Sequence, residues 1–141
     1  MFRGGVIMSN IKSIIENIKK YNHFHEVEIK EFALPEEGWA YQIANALKKQ
    51  MKTTQLRKVF NSIKLLEQKN RDKKAEDEFD DPKLYMILPY LAYAKGRKFI
   101  PPDFYELIKV IIQEKIETVG DFRRFCEFMT AIVAYHKQYS K

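Results

Sequence analysis

From Lys52 to Leu66 the chain reads KTTQLRKVFNSIKLL, with Leu56, Val59, Phe60, Ile63 and Leu66 recurring at three- and four-residue intervals. At about 100° per residue this spacing gathers them on one face of a helix and sets Thr54, Arg57, Asn61 and Lys64 opposite. Thr53 is the expected N-cap, because its hydroxyl can accept a bond from an unpaired first-turn N–H. The stretch therefore predicts a helix with one side for a core and one side able to meet an anion.

The same periodicity organises the rest. Ile11, Ile14, Ile15 and Ile18 predict an opening helix that starts near Ser9 or Asn10, after a loose MFRGGVIM. Between Tyr21 and Pro35 neither a helical nor a strand period holds, and a connector is expected. Trp39, Ile43 and Leu47 line a second helix from about Glu36 to Met51, with acids in its first turn and Lys48, Lys49 and Lys52 around its end, as the helix dipole favours. The short break at Met51 to Thr53 makes this helix and the next an αα-hairpin, which also resembles a helix-turn-helix. Residues 67–83 are polar and acidic apart from Ala75 and Phe79, and read as a flexible linker. Asp81 followed by Pro82 is a cap with proline at the first helical position. Leu84, Ile87, Leu88 and Leu91 carry that helix, Pro89 is expected to kink or split it, and Gly96 to end it in a left-handed conformation. Pro101 and Pro102 start a helix continuing to Ile116. Thr118 to Asp121 has capping-box spacing ahead of a last helix that is apolar around most of its circumference, so it is either central or shared with another subunit.

These elements make an all-α fold, a single-domain bundle of five or six helices over residues 1–141, in two helical halves joined by the acidic linker. A long linker between two helical units also permits exchange of a half between chains, and so a dimer of the isolated protein.

Charge adds a partner class. Lys and Arg number 25 against 19 Asp and Glu, a net charge of +6, with a pI of about 9.3. Residues 70–83 alone carry four basic and six acidic side chains, so the remainder holds +8. A basic surface of this kind favours a polyanion. No apolar run approaches the ~18 residues of a membrane span and no secretory leader is evident, so a cytoplasmic protein with no membrane partner is expected. Chemistry is sparse. The lone Cys126 lies on an apolar helix face and reads as core. His23 and His25 lack a third ligand for a metal, no carboxylate set suits a two-metal nuclease, and no glycine motif cradles phosphate. No catalytic residue, metal or cofactor is expected, and the chain reads as no enzyme.

Three separated segments resemble one family, the small subunit of type III-A CRISPR ribonucleoprotein effectors, the second Csm protein. They are TTQLRKVFNSIK from Thr53, ILPYLAYAKGR from Ile87 and FRRFCEFMTAIVAYHK from Phe122. LAYA followed by Gly-Arg and the closing AIVAYHK are the specific parts, and the resemblance spans roughly residues 39–138. Residues 1–35 lie outside it. Tyr90 departs from the pattern, since a basic residue is expected there. The resemblance implies a non-catalytic, all-helical, RNA-binding and assembly subunit acting in antiviral defence. Stacked copies would sit with the other Csm effector subunits and line the groove for guide RNA and target single-stranded RNA.

By that resemblance Arg57, Lys58, Asn61 and Arg97 face RNA, with His136 and Lys137 as further candidates. The neighbouring Lys52, Lys64, Lys95 and Lys98 complete the candidate nucleic-acid-binding set. A guide-directed complex leaves sequence reading to base pairing, so its protein walls need only cations and amides aimed at phosphates and 2′-hydroxyls. The alternative is a helix-turn-helix DNA-binding regulator that uses Gln42 to Leu66.

Overall fold

A computed structural model describes residues 10–139; the loose opening expected before Asn10 lies outside the described residues. Seven α-helices are found among them: α1 Asn10–Lys19, α2 Ile29–Ala33, α3 Trp39–Leu47, α4 Thr53–Lys69, α5 Pro82–Gly96, α6 Pro102–Val110 and α7 Val119–Lys137. A single 3-10 turn, Phe24–Glu26, precedes α2, and a π turn, Ile111–Lys115, prolongs α6. The expected all-α class is therefore observed, with more helices than the five or six anticipated. The added pieces fall inside the expected connector, where Phe24, Val27 and Phe32 are buried at spacings too irregular to show a period.

The all-round apolar pattern of α7 resolves as centrality. Helices α2, α3 and α4 and the 3-10 turn all pack on α7, while α1 lies against α3 and α6, and α5 against α4 and α6. Phe128 of α7 is the hub of an aromatic cluster, with ring centroids 5.6 Å from Phe24, 5.3 Å from Phe32 and 6.3 Å from Trp39. Such pairs add about 0.5–1.5 kcal/mol each beyond the area they bury. Cys126 is buried in the same core, where desolvation pushes its thiol far above the ordinary range and away from the nucleophilic thiolate.

Because α3 and α4 both rest on α7 rather than mainly on each other, the expected αα-hairpin is not the packing unit. Nothing in this arrangement supports a helix-turn-helix. Gly38 explains why the second helix starts late, at Trp39. A Cβ on Gly38 would fall 2.4 Å from the Leu34 carbonyl oxygen, so glycine is what lets the chain double back from α2 into α3.

The two-halves division also gives way. Helix α4 runs on to Lys69, and the polar stretch beyond it is tied down at several points. Asn70, buried, donates through Nδ2 to the Leu66 carbonyl at 2.8 Å. Phe79 is buried in a parallel stack on Phe122, ring centroids 4.3 Å apart. Backbone N–H groups of Phe79, Val119 and Gly120 bond to carbonyls of Glu117, Asp77 and Ala75 at 2.8–2.9 Å, and Arg123 of α7 reaches the Arg71 and Lys73 carbonyls. One apolar stacking ring and the carbonyls of the segment itself hold it, and side-chain composition alone does not display them.

Cap chemistry accounts for the helix ends. The Asp81 side chain accepts from the Lys83 N–H at 3.0 Å with Pro82 at the first helical position, as expected. Thr118 and Asp121 form the expected capping box. At α4 the expectation fails by one residue. Thr53 is already helical, and Lys52, which offers no acceptor, stands at the cap. Helix α5 passes unbroken through Pro89, whose exposed position leaves the unpaired carbonyl one turn back to water.

Candidate nucleic-acid interface

The C-terminus of α5 shapes the site. The Phe99 N–H bonds to the Ala94 carbonyl and the Lys98 N–H to the Lys95 carbonyl, both at 2.9 Å, which is the Schellman arrangement. Its left-handed position is filled by Lys98, with φ 62°, and not by Gly96 as the sequence leads one to expect. A side chain in that conformation is strained by about 1 kcal/mol, and lysine brings no local hydrogen bond to offset it. The turn carries Lys98 and Phe99 toward the junction between α3 and α4.

That junction is held from behind. Gln50 and Met51 donate their N–H groups to the Leu47 carbonyl at 2.9 Å, and His136 of α7 meets the Met51 carbonyl through Nε2 at 3.1 Å. With Nε2–H as the donor, Nδ1 of the ring is buried without a partner. In front, Lys48, Lys49, Gln50, Met51, Lys52 and Gln55 meet Lys98 and Phe99 around a groove of about 310 Å³. An adjoining groove of about 430 Å³ shares Gln50 and Lys98 and adds Lys95, Ile100 and the two prolines Pro101 and Pro102. The N-terminus of α4 has no side-chain cap, so its partial positive charge adds to the four lysines there.

These cations are steadied without being neutralised. Lys48 Nζ lies 4.9 Å from the Tyr139 ring centroid and Lys95 Nζ 4.5 Å from that of Tyr105. The Arg97 guanidinium lies 5.9 Å from the Tyr93 ring and 5.3 Å from the Phe99 ring, and donates to the Tyr93 hydroxyl at 2.9 Å. A ring holds a cation in place yet leaves its full charge to attract an anion. Among the described residues, no carboxylate comes within salt-bridge distance of Lys48, Lys49, Lys52, Arg57, Lys58, Lys95, Arg97 or Lys98.

Of the expected site residues, Lys52 and Lys98 share the groove, Lys95 lines its neighbour, and Arg97 stands against the groove's Phe99. Arg57, Lys58 and Asn61 are exposed on α4 but lie outside the groove lining. At 1.5 Å per residue they follow Lys52 along the helix axis by about 7.5 to 13.5 Å. Lys137 is exposed on the last turn of α7. Two candidates are placed otherwise. Lys64 is committed to Glu67 at 2.6 Å, and His136 is 3% exposed, so it supports the groove from inside rather than touching a strand. His136 continues the buried line of Met129 and Ile132, a spacing that already marks it as interior. Gln50, Gln55 and Phe99 are not singled out by sequence, and Lys48 and Lys49 stand out there only as complements of the helix dipole. Their signal is the lysine-rich run Lys48–Lys52 and an aromatic directly after Arg97-Lys98.

A larger cleft of about 460 Å³ between α4 and α5 is lined by Val59, Leu65, Leu66, Met86, Ile87 and Tyr90, with Lys69 and Lys83 at its rim. Lys69 is paired with Asp81 at 3.2 Å, and the apolar walls offer little to a phosphate. Among the described residues no group of three or more His, Cys, Asp or Glu is placed to hold a metal, and no helix is long and apolar enough to cross a membrane.

Residues 37–141 match the family model described as Csm2 type III-A, and the chain belongs to that family, the small subunits of type III-A CRISPR complexes. Searches among curated proteins and among solved structures gave no match.

Proposed function

We propose that this Csm2-family chain is a non-catalytic wall of a cytoplasmic type III-A effector, one domain that holds guide and target RNA by contacts to the sugar-phosphate strand. The observation that carries the reading is the groove at the α3–α4 junction, where Lys48, Lys49, Lys52 and Lys98 line a common space with no carboxylate of the described residues within salt-bridge distance. Unpaired lysines this close repel one another, and an anion in the groove relieves that repulsion. Lys95 and Arg97 extend the positive surface along α5, and Arg57, Lys58 and Asn61 extend it along α4. Arg57 and Arg97 offer forked donors suited to phosphate, while Gln50, Gln55 and Asn61 offer amides for ribose hydroxyls.

Such a surface has no base-reading geometry, so its affinity is set by charge and salt, and the guide supplies the sequence. Each copy contributes on the order of two to four phosphate contacts, weak alone and strengthened by avidity when copies stack beside the other Csm subunits. The test compares single-stranded RNAs of unrelated sequence at rising salt. Similar affinities that fall together, with a logarithmic slope of about 0.7 per phosphate contacted, are expected. A single strongly preferred sequence, or a duplex DNA site bound above RNA, overturns the reading. Arg57→Ala and Arg97→Ala each weaken RNA capture and leave the helical circular-dichroism signal unchanged.

A further inference from the structure

We infer that the groove at the α3–α4 junction is a nucleotide subsite in which Phe99 stacks one unpaired nucleobase while the surrounding lysines hold its flanking phosphates. This rests on the RNA-wall reading above and names what that wall grips. Phe99 follows the left-handed Lys98, the position from which a Schellman turn ordinarily folds an apolar side chain back on its own helix. Here Phe99 is instead 39% exposed and lines the groove together with Met51, the lysines, Gln50 and Gln55.

An exposed aromatic ring loses apolar burial unless something flat covers it. In a cleft with four lysines the fitting cover is a base attached to phosphates. The groove volume of about 310 Å³ lies at the small end of the ~300–1,000 Å³ range of ligand clefts, which suits one nucleotide and not a duplex. Arg97, 5.3 Å from the Phe99 ring, adds a planar cation beside it, and Tyr93, 61% exposed and bonded to Arg97, adds a second aromatic ring. Every base has a π face, so stacking grips RNA without selecting its sequence. It does require the base to be free of its helix, so the subsite engages single-stranded or splayed nucleotides and passes over paired ones.

The test uses the full chain with a short oligouridylate and an abasic ribose-phosphate strand of the same length and charge. Wild type is expected to bind the base-bearing strand roughly five- to a hundredfold more tightly. Phe99→Ala brings that ratio close to one while leaving the abasic affinity and salt slope unchanged. Phe99→Trp restores the ratio, which separates loss of stacking from any disturbance of the turn. Equal wild-type binding of the two strands overturns the stacking subsite alone, as does an equal loss on both strands in Phe99→Ala. No binding to either strand at low salt overturns the RNA-wall reading with it.

Discussion

Two ends of the bundle carry their charge in opposite ways. At the N-terminus of α7, Asp121 is fully buried and accepts backbone N–H bonds from His25, Glu117 and Thr118 at 2.9–3.0 Å, and its Oδ1 lies 2.6 Å from the His25 ring. Arg124 beside it pairs with Glu127 at 2.9 Å and donates to the carbonyls of His25 and Val27. Asp121 and Arg124 thus fix the 3-10 turn against α7, and Arg123 fixes the polar segment. At the α3–α4 junction Lys48 lies over the Tyr139 ring and Lys95 beside the groove over that of Tyr105, and among the described residues no acid pairs with the groove lysines. Charge that is matched internally serves the fold, whereas charge left unmatched is available to a partner. Substitutions at the first end should therefore move stability, and substitutions at the second should move binding.

The largest effect belongs to Asp121. Burial alone would raise its carboxyl, but the N–H groups of Glu117, His25 and Thr118 and the His25 ring outweigh it and hold the group below the ordinary carboxylate range. Asp121→Ala strands several buried donors and removes the capping box of α7, for an expected loss of about 3 kcal/mol or more in chemical denaturation. RNA affinity per folded molecule should stay as in the wild type, and a fall in that quantity would break the division between the two ends. Asp81 is likewise held low against burial, by the Lys83 N–H, Lys69 and Asn70. Both carboxyls bind protons more readily unfolded, near the free value of about 3.9. The stability they confer is thus complete above about pH 4 and disappears as pH drops through their lowered folded values. Melting temperature against pH should show that acid decline, shallower in Asp121→Asn.

The second prediction turns to the lysines. Lys49→Ala combined with Lys52→Ala removes two exposed, unpaired cations, so stability should change by no more than about 0.5 kcal/mol. The RNA salt slope should flatten by about 1.4, as expected for two lost phosphate contacts on a single strand. A flattened slope with unchanged melting sharpens the comparison. Loss of cooperative unfolding would show that the junction needs these lysines for folding.

Sequence reveals the first kind of charge poorly and the second only in part. Periodicity finds which face of a helix is apolar, because that depends on neighbours within two turns, and it locates the stripes of α1, α3, α4 and α5. Cap spacing is equally local, so Asp81-Pro82 and Thr118 to Asp121 were readable. What a face packs against depends on distant residues. His25 lies 96 positions from the Asp121 it meets, and no spacing rule joins them. The same holds for Phe79 on Phe122, which turns an apparent linker into packed structure. In the candidate interface, Lys52 and Lys98 were legible as basic residues near helix ends. Their sharing one groove, and the place of Phe99 in it, depends on a left-handed lysine that composition cannot announce.

That lysine is where the two kinds of charge cross, and it gives the smallest and most discriminating prediction. Glycine suits the left-handed position without steric conflict, so Lys98→Gly should raise stability by about 0.5–1 kcal/mol. The same change removes a groove cation and should weaken RNA binding severalfold with a salt slope lower by about 0.7. Lys98→Arg keeps both the strain and the charge, and should leave melting temperature and affinity near wild type. Opposite movement of stability and affinity in the glycine variant means the strain persists because the cation is needed in that groove. If stability rises while affinity stays fixed, Lys98 is not part of the RNA surface, and the charge that distinguishes this end of the bundle must act through Lys48, Lys49 and Lys52 with the neighbouring cations of α4 and α5.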